Sequence, residues 1–116
     1  MYTYYKETKT EEHMLYTTEI AELAGIYTLN GKPATALVSA ILAKYTSKLD
    51  NYEQYYYLSG SYNRKNKVYP KDIYVKAIVE FFTAINDKHG TNIPDKLTAR
   101  IDDKNYKFTL KIEETI

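Results

Sequence analysis

A cluster of basic side chains lies between residues 61 and 71, a segment that contains no acid. The segment reads Ser-Tyr-Asn-Arg-Lys-Asn-Lys-Val-Tyr-Pro-Lys. Long cationic side chains on an exposed turn suit phosphate oxygens, and neighbouring amide and hydroxyl groups add neutral hydrogen bonds. We therefore predict a nucleic-acid contact in this segment, and the alternative is a solvated turn without a ligand. The predicted contact residues are Tyr62, Arg64, Lys65, Lys67 and Lys71.

Catalytic and metal-binding chemistry has far less support. The two histidines, His13 and His89, lie on separate segments and lack the spacing that a zinc site needs. No cysteine is present, so disulfides, zinc ribbons and cysteine nucleophiles are excluded. Phosphate-cradling glycine loops and nucleophile elbows are also missing. We predict that the protein is not an enzyme and has no catalytic residues, no cofactor and no bound metal.

Overall charge excludes two further classes of protein. Sixteen Lys and Arg residues against fifteen Asp and Glu give a net charge of +1, so neither DNA mimicry by bulk anionic charge nor coating of nucleic acid by a polycation is expected. No apolar run is long enough to span a membrane. The 116 residues suit one domain, 1–116, which we expect in the cytoplasm of a host cell and without membrane contact.

Hydrophobic spacing predicts the elements that would position the cations. A short helix over 18–24 has a hydroxyl N-cap from the Thr17-Thr18 pair and Gly25 in the left-handed position after it. Strands at 54–59 and 67–69 flank a turn-like segment and form a basic hairpin. A helix runs from Pro70 to Gly90, and a second hairpin pairs 97–101 with 106–112.

The helix predicted to begin at Pro33 and to extend to Ser47 carries the other candidate contacts. Its apolar residues recur with helical periodicity and form a core-facing stripe. Its opposite face holds alanines at 36, 40 and 43, so we expect this helix to be central in the fold or paired with a second copy in a homodimer. The side chains near its N-terminus that could reach DNA bases are Lys32, Thr35 and Ser39.

These elements follow one another as a capped helix, a second helix, a basic hairpin and a third helix. Residues 16–25 and 57–72, with the helix after Lys32-Pro33 between them, resemble the N-terminal region of phage regulatory proteins of the Rha and antirepressor type. The resemblance covers residues 16 to about 86 and implies a DNA-binding regulatory module of a phage or mobile element. The order of the predicted elements itself indicates an α+β fold, with a winged helix-turn-helix-like three-helix core, a basic β-hairpin and a C-terminal β-hairpin.

An alternative function comes from the tyrosines, which number 14 in 116 residues. Tyrosine is enriched in the centres of protein interfaces, and six of these residues converge on the basic hairpin. They are Tyr52, Tyr55, Tyr56, Tyr57, Tyr62 and Tyr69. The alternative is a small phage-encoded inhibitor of a host defence enzyme, similar to an anti-CRISPR protein, which acts by contact with a host protein.

Overall fold

The computed structural model describes residues 3–4, 14–59 and 64–111, with three helices and two small sheets in these residues. The strands are β1 (Thr3–Tyr4), β2 (Met14–Tyr16), β3 (Ile26–Tyr27), β4 (Tyr55–Ser59), β5 (Arg64–Pro70), β6 (Leu97–Ile101) and β7 (Lys104–Leu110). The helices are α1 (Thr17–Ala24), α2 (Thr35–Ser47) and α3 (Lys71–His89). The predicted α+β class is confirmed.

One sheet has the strand order β1-β4-β5-β2 and the other has the order β3-β7-β6. The pairs are antiparallel except for β1 with β4. Both predicted hairpins are present, although β5 begins at Arg64 and β7 at Lys104, each earlier than the sequence indicated. Pairing with the facing strand brings these polar residues into the ladder.

The start of α1 differs from the prediction. Tyr16 occupies the N-cap position, and its backbone N–H donates to the Glu19 carboxylate at 2.8 Å. Neither threonine is the cap, because Thr17 is already the first helical residue. The predicted role of Gly25 is confirmed, since it has φ of 74° and its N–H donates to the carbonyls that end the helix.

The other two helices begin later than expected. Pro33 does not start α2, because it lies in an isolated bridge with Tyr27 and the helix begins at Thr35. Pro70 is the last residue of β5 and precedes α3, so its lack of an N–H falls at the transition from strand to helix.

A cluster of buried side chains joins the helices to both sheets. Helix α2 crosses its centre through the predicted stripe of Leu37, Val38, Ile41 and Leu42, all of which are buried. The prediction that α2 is central in the fold, covered on both sides, is wrong, and its pairing with a second copy stays a prediction. On the opposite face Ala36 and Ala43 are exposed, and Ala40 is half-buried. Helix α2 is therefore covered on one side rather than enclosed.

Candidate nucleic-acid interface

The outer part of the β4–β5 hairpin projects beyond the rest of its sheet. Strand β2 pairs only with the last three residues of β5, and β1 pairs with Tyr55 and Tyr56 of β4. Residues 57–59 and 64–66 therefore pair with each other alone among the described strands. We call these six residues the basic arm, because Arg64 and Lys65 lie in it and Lys67 lies at its base.

Residues 60–63, the tip of this hairpin, lie outside the described residues, so the predicted contact at Tyr62 does too. Arg64 is placed by the backbone as the strand residue opposite Ser59. Lys65 and Lys67 are exposed, opposite Leu58 and Tyr56 respectively.

Strand alternation puts the two lysines on the sheet face that packs on the helices. Lys65, Lys67 and Tyr69 share that face because side chains alternate along a strand, and Tyr69 is buried with 1% of its surface exposed. Lys67 lines a cleft beside Thr46 and Ser47, near the C-terminal end of α2. The basic arm therefore lies nearer the C-terminal end of α2, whereas the predicted contacts with DNA bases lie at its N-terminal end.

Lys32 and Thr35 lie at the other end of α2. The 13-residue helix separates its ends by about 18 Å. The Thr35 hydroxyl forms a 2.9 Å hydrogen bond with the Thr18 hydroxyl, so it ties α2 to the first turn of α1. Lys32 is exposed and Ser39 is half-buried. These three residues form a group separate from the arm.

Lys71 is exposed as the first residue of α3. Six residues of extended chain separate it from Lys65, a distance of about 20 Å. The predicted basic segment therefore spreads over the length of β5, and its outer cations are Arg64, Lys65 and Lys67.

The C-terminal hairpin has the opposite character at its tip. Asp102 and Asp103 form the two-residue turn between β6 and β7, with φ of 50° and 65°. A two-residue hairpin turn with positive φ at both central residues needs the left-handed conformation twice. Aspartate tolerates this conformation better than most residues. The two carboxylates thus have a structural reason for their position, and they make this tip acidic.

The tyrosines of the basic hairpin divide between core and surface. Tyr69 belongs to the core, and burial together with neighbouring Tyr56 raises its pKa from 10.0 to about 12. The Tyr16 and Tyr57 rings meet edge to face at 6.1 Å on the other side of the sheet. Tyr55, Tyr56 and Tyr57 are all half-buried, so the triplet is shared between the two faces.

A second group of cations was not predicted, because its members come from three distant segments. A groove between these segments is surrounded by Lys44 of α2, Lys48 directly after that helix, Lys88 of α3 and Arg100 of β6. Lys48 contacts Glu80 at 3.0 Å, and Arg100 contacts Asp103 at 3.3 Å. Lys44 and Lys88 lie in the last turns of their helices, where the helix dipole favours cations. In the sequence, each lysine is therefore explained by its own helix end and does not indicate a shared site.

Among the residues that the structure describes, no group of three or more His, Cys, Asp or Glu side chains could hold a metal ion. The described helices include none that is long and apolar enough to cross a membrane. Comparison with protein-family models, curated proteins and solved structures found no match for this chain.

Proposed function

We propose that this protein binds nucleic acid through the basic arm, as a DNA-binding regulatory protein of a phage or mobile element with a winged-helix arrangement. The observation that carries the proposal is the projection of Arg64 and Lys65 on a two-stranded arm, with Lys67 at its base. A narrow arm that extends past its sheet can lie along a phosphate backbone, and cations provide most of the affinity for such a surface.

The contrast between the two hairpins supports this choice of wing. The described part of the β4–β5 arm carries cations and no acid, whereas the β6–β7 turn is Asp102-Asp103. Carboxylates at a turn would repel phosphates, so the β6–β7 hairpin is a poor wing.

The helical part of the proposal rests on the contact between α1 and α2. The Thr18–Thr35 hydrogen bond holds their N-terminal ends together, close in sequence to Lys32. Lys32, Thr35 and Ser39 are the proposed base-side contacts, and Lys71 is a further phosphate contact. A host-cell location and a homodimer joined through the exposed alanines of α2 remain predictions.

The test is a titration of fluorescent 20-base-pair duplex and single-stranded DNA across salt concentrations. Three phosphate contacts from Arg64, Lys65 and Lys67 give a slope of log K against log salt of about −2.7 on duplex, and Lys71 would make it about −3.6. On single strands the corresponding slopes are about −2.1 and −2.8. The double variant R64A/K65A should reduce the duplex slope by about 1.8.

The matched control is K104A/K107A, which removes two exposed lysines from the β6–β7 hairpin and should leave the slope unchanged. Thermal melts of both variants should stay near that of the parent, because exposed charges contribute little to folding. Absence of binding at low salt, or equal slopes for the two double variants, would contradict the proposal.

The second candidate function, inhibition of a host enzyme by protein contact, is favoured by exposed apolar side chains. Leu23 of α1 and Val79 of α3 are 68% and 56% exposed, and Val75 and Ile93 are also at the surface. Val79 and Ile93 line one surface hollow together with Ala24. Contiguous apolar surface of this kind marks contacts with other molecules. A protein that fails to bind either DNA but keeps its fold would favour this candidate.

A further inference from the structure

The groove bordered by Lys44, Lys48, Lys88 and Arg100 runs along the free side of β6; we call it the β6 groove. Strand β6 is at the edge of its sheet, with β7 on one side and no described strand on the other. All five residues of β6 line the groove, whereas Phe108 is its only lining residue from β7. Alternate side chains of a strand point to opposite faces, so a groove lined by all of them must follow the strand's edge.

The open edge presents backbone hydrogen-bonding groups in a defined order. The two-residue turn at Asp102-Asp103 closes on the hydrogen-bonded pair Ile101 and Lys104. Alternate residues of β6 therefore bond to β7, and the N–H and C=O groups of Thr98 and Arg100 point away from it. An extended chain laid beside β6 would find donors and acceptors at a spacing that fits its own backbone.

The floor and rim of the groove differ in character. Ile41, Phe81 and Ile85 contribute apolar surface from the two helices that form the opposite wall. The rim carries four Lys and Arg side chains and His89, against Glu80 as the acid among the lining residues. The cavity is about 350 Å³, enough for a few side chains of an occupant.

We propose that the β6 groove binds an extended acidic peptide segment of a partner protein as an added strand of the β3-β7-β6 sheet. The open edge supplies backbone hydrogen bonds, the apolar floor receives alternate apolar side chains, and the rim attracts carboxylates. A second copy of this chain is a poor occupant, because pairing β6 with its counterpart would bring two cationic rims together. Duplex DNA would leave the apolar floor and the strand edge unused.

The probe is a fluorescein-labelled, C-terminally amidated peptide of eight residues in which glutamate and valine alternate. Fluorescence anisotropy should show saturable binding below about 1 mM. The same peptide with alternate backbone amides N-methylated should lose binding at least about tenfold, since it cannot donate to the strand edge. A peptide with lysine in place of glutamate should bind at least about tenfold more weakly.

The variants separate the edge from the rim. T98P removes an N–H that points to the open edge and breaks no bond to β7, and it should weaken peptide binding about tenfold. T98A keeps the N–H and should bind as the parent does. K44Q/K88Q should weaken binding about fivefold, whereas K32Q/K76Q makes the same change of charge outside the groove and should have no effect. Circular dichroism melts establish that each variant is folded.

Five results would overturn the proposal. The first two are absence of saturable binding and equal binding of the N-methylated peptide. Parent-like binding by T98P, in a variant that melts as the parent does, would exclude strand addition. If 20-base-pair duplex displaces the peptide and T98P binds the peptide as the parent does, the groove would be assigned to nucleic acid. A dimer in sedimentation that T98P dissociates would assign the edge to a second copy. The arm variants R64A/K65A should bind the peptide normally, so failure here and failure of the DNA proposal are distinguishable.

Discussion

Replacing Gly25 by alanine tests whether the end of α1 is locked to the end of β7. Gly25 has φ of 74°, and a Cβ built there would lie 2.5 Å from the carbonyl oxygen of Lys111. The backbone N–H of Lys111 in turn donates to the carbonyl of Gly25 at 2.8 Å. A methyl group on residue 25 must therefore displace Lys111, although the Gly25 carbonyl holds Lys111 in place through this hydrogen bond.

The expected cost has two parts. An alanine in the left-handed conformation costs about 1–2 kcal/mol relative to glycine. Separating the Cβ from the Lys111 carbonyl weakens the backbone hydrogen bond, which adds about 0.5–1.5 kcal/mol. We expect G25A to lower the free energy of unfolding by about 1.5–3.5 kcal/mol, a large share of the stability of a chain of this size.

Gly31 provides the matched control, because it has φ of 86° and a Cβ there would meet nothing within 4 Å. G31A should therefore show the conformational cost alone, about 1–2 kcal/mol. Urea denaturation followed by circular dichroism measures both variants, with unchanged dependence on denaturant concentration. Losses for G25A and G31A that agree within about 0.5 kcal/mol would refute the contact with Lys111.

Three further outcomes follow from the core and the surface charges. L42A removes a side chain with no exposed surface and should cost about 2–5 kcal/mol in urea denaturation, and a loss below about 1 kcal/mol would mean that α2 does not cross the core. Because folding raises the pKa of Tyr69 from 10.0 to about 12, the unfolded chain loses this proton first; the contribution of Tyr69 to stability should be constant below pH 10 and be lost between pH 10 and 12, and a fall in stability over this range that is undiminished in Y69F would contradict this origin. K48A should change stability by less than about 1 kcal/mol, because its ion pair with Glu80 is exposed, and a larger loss would show that the pair is structural.

The α+β class and the positions of all three helices were predictable from local patterns. The stripe of α2, the glycine after α1 and the alternation of residues 97–101 depend on the conformational preferences and periodicities of neighbouring residues. These preferences depend on residues that are close together in the chain, so the sequence alone predicts them. The errors at Thr17, Pro33 and Pro70 lie at the ends of elements, where a strand partner or a backbone acceptor decides the boundary.

The basic segment was also visible in the sequence, but its arrangement was not. Residue order alone cannot show that β2 ends at Tyr16 and leaves the arm projecting, or that Lys67 faces the C-terminal end of α2 and not Thr35. The first fact is set by the register of β2 against β5, segments more than 50 residues apart, and the second by the packing of α2 on the sheet.

The sequence by itself determined which residues enter helices and strands, where the core stripe of α2 lies and where cations concentrate along the chain. Only the tertiary structure decided that Lys44, Lys88 and Arg100 share one rim, and that β6 is left at the edge of its sheet. The physical reason is that local preferences follow from adjacent residues. A groove, in contrast, forms when elements distant in the sequence pack together, and the sequence of one element does not show which others it will contact.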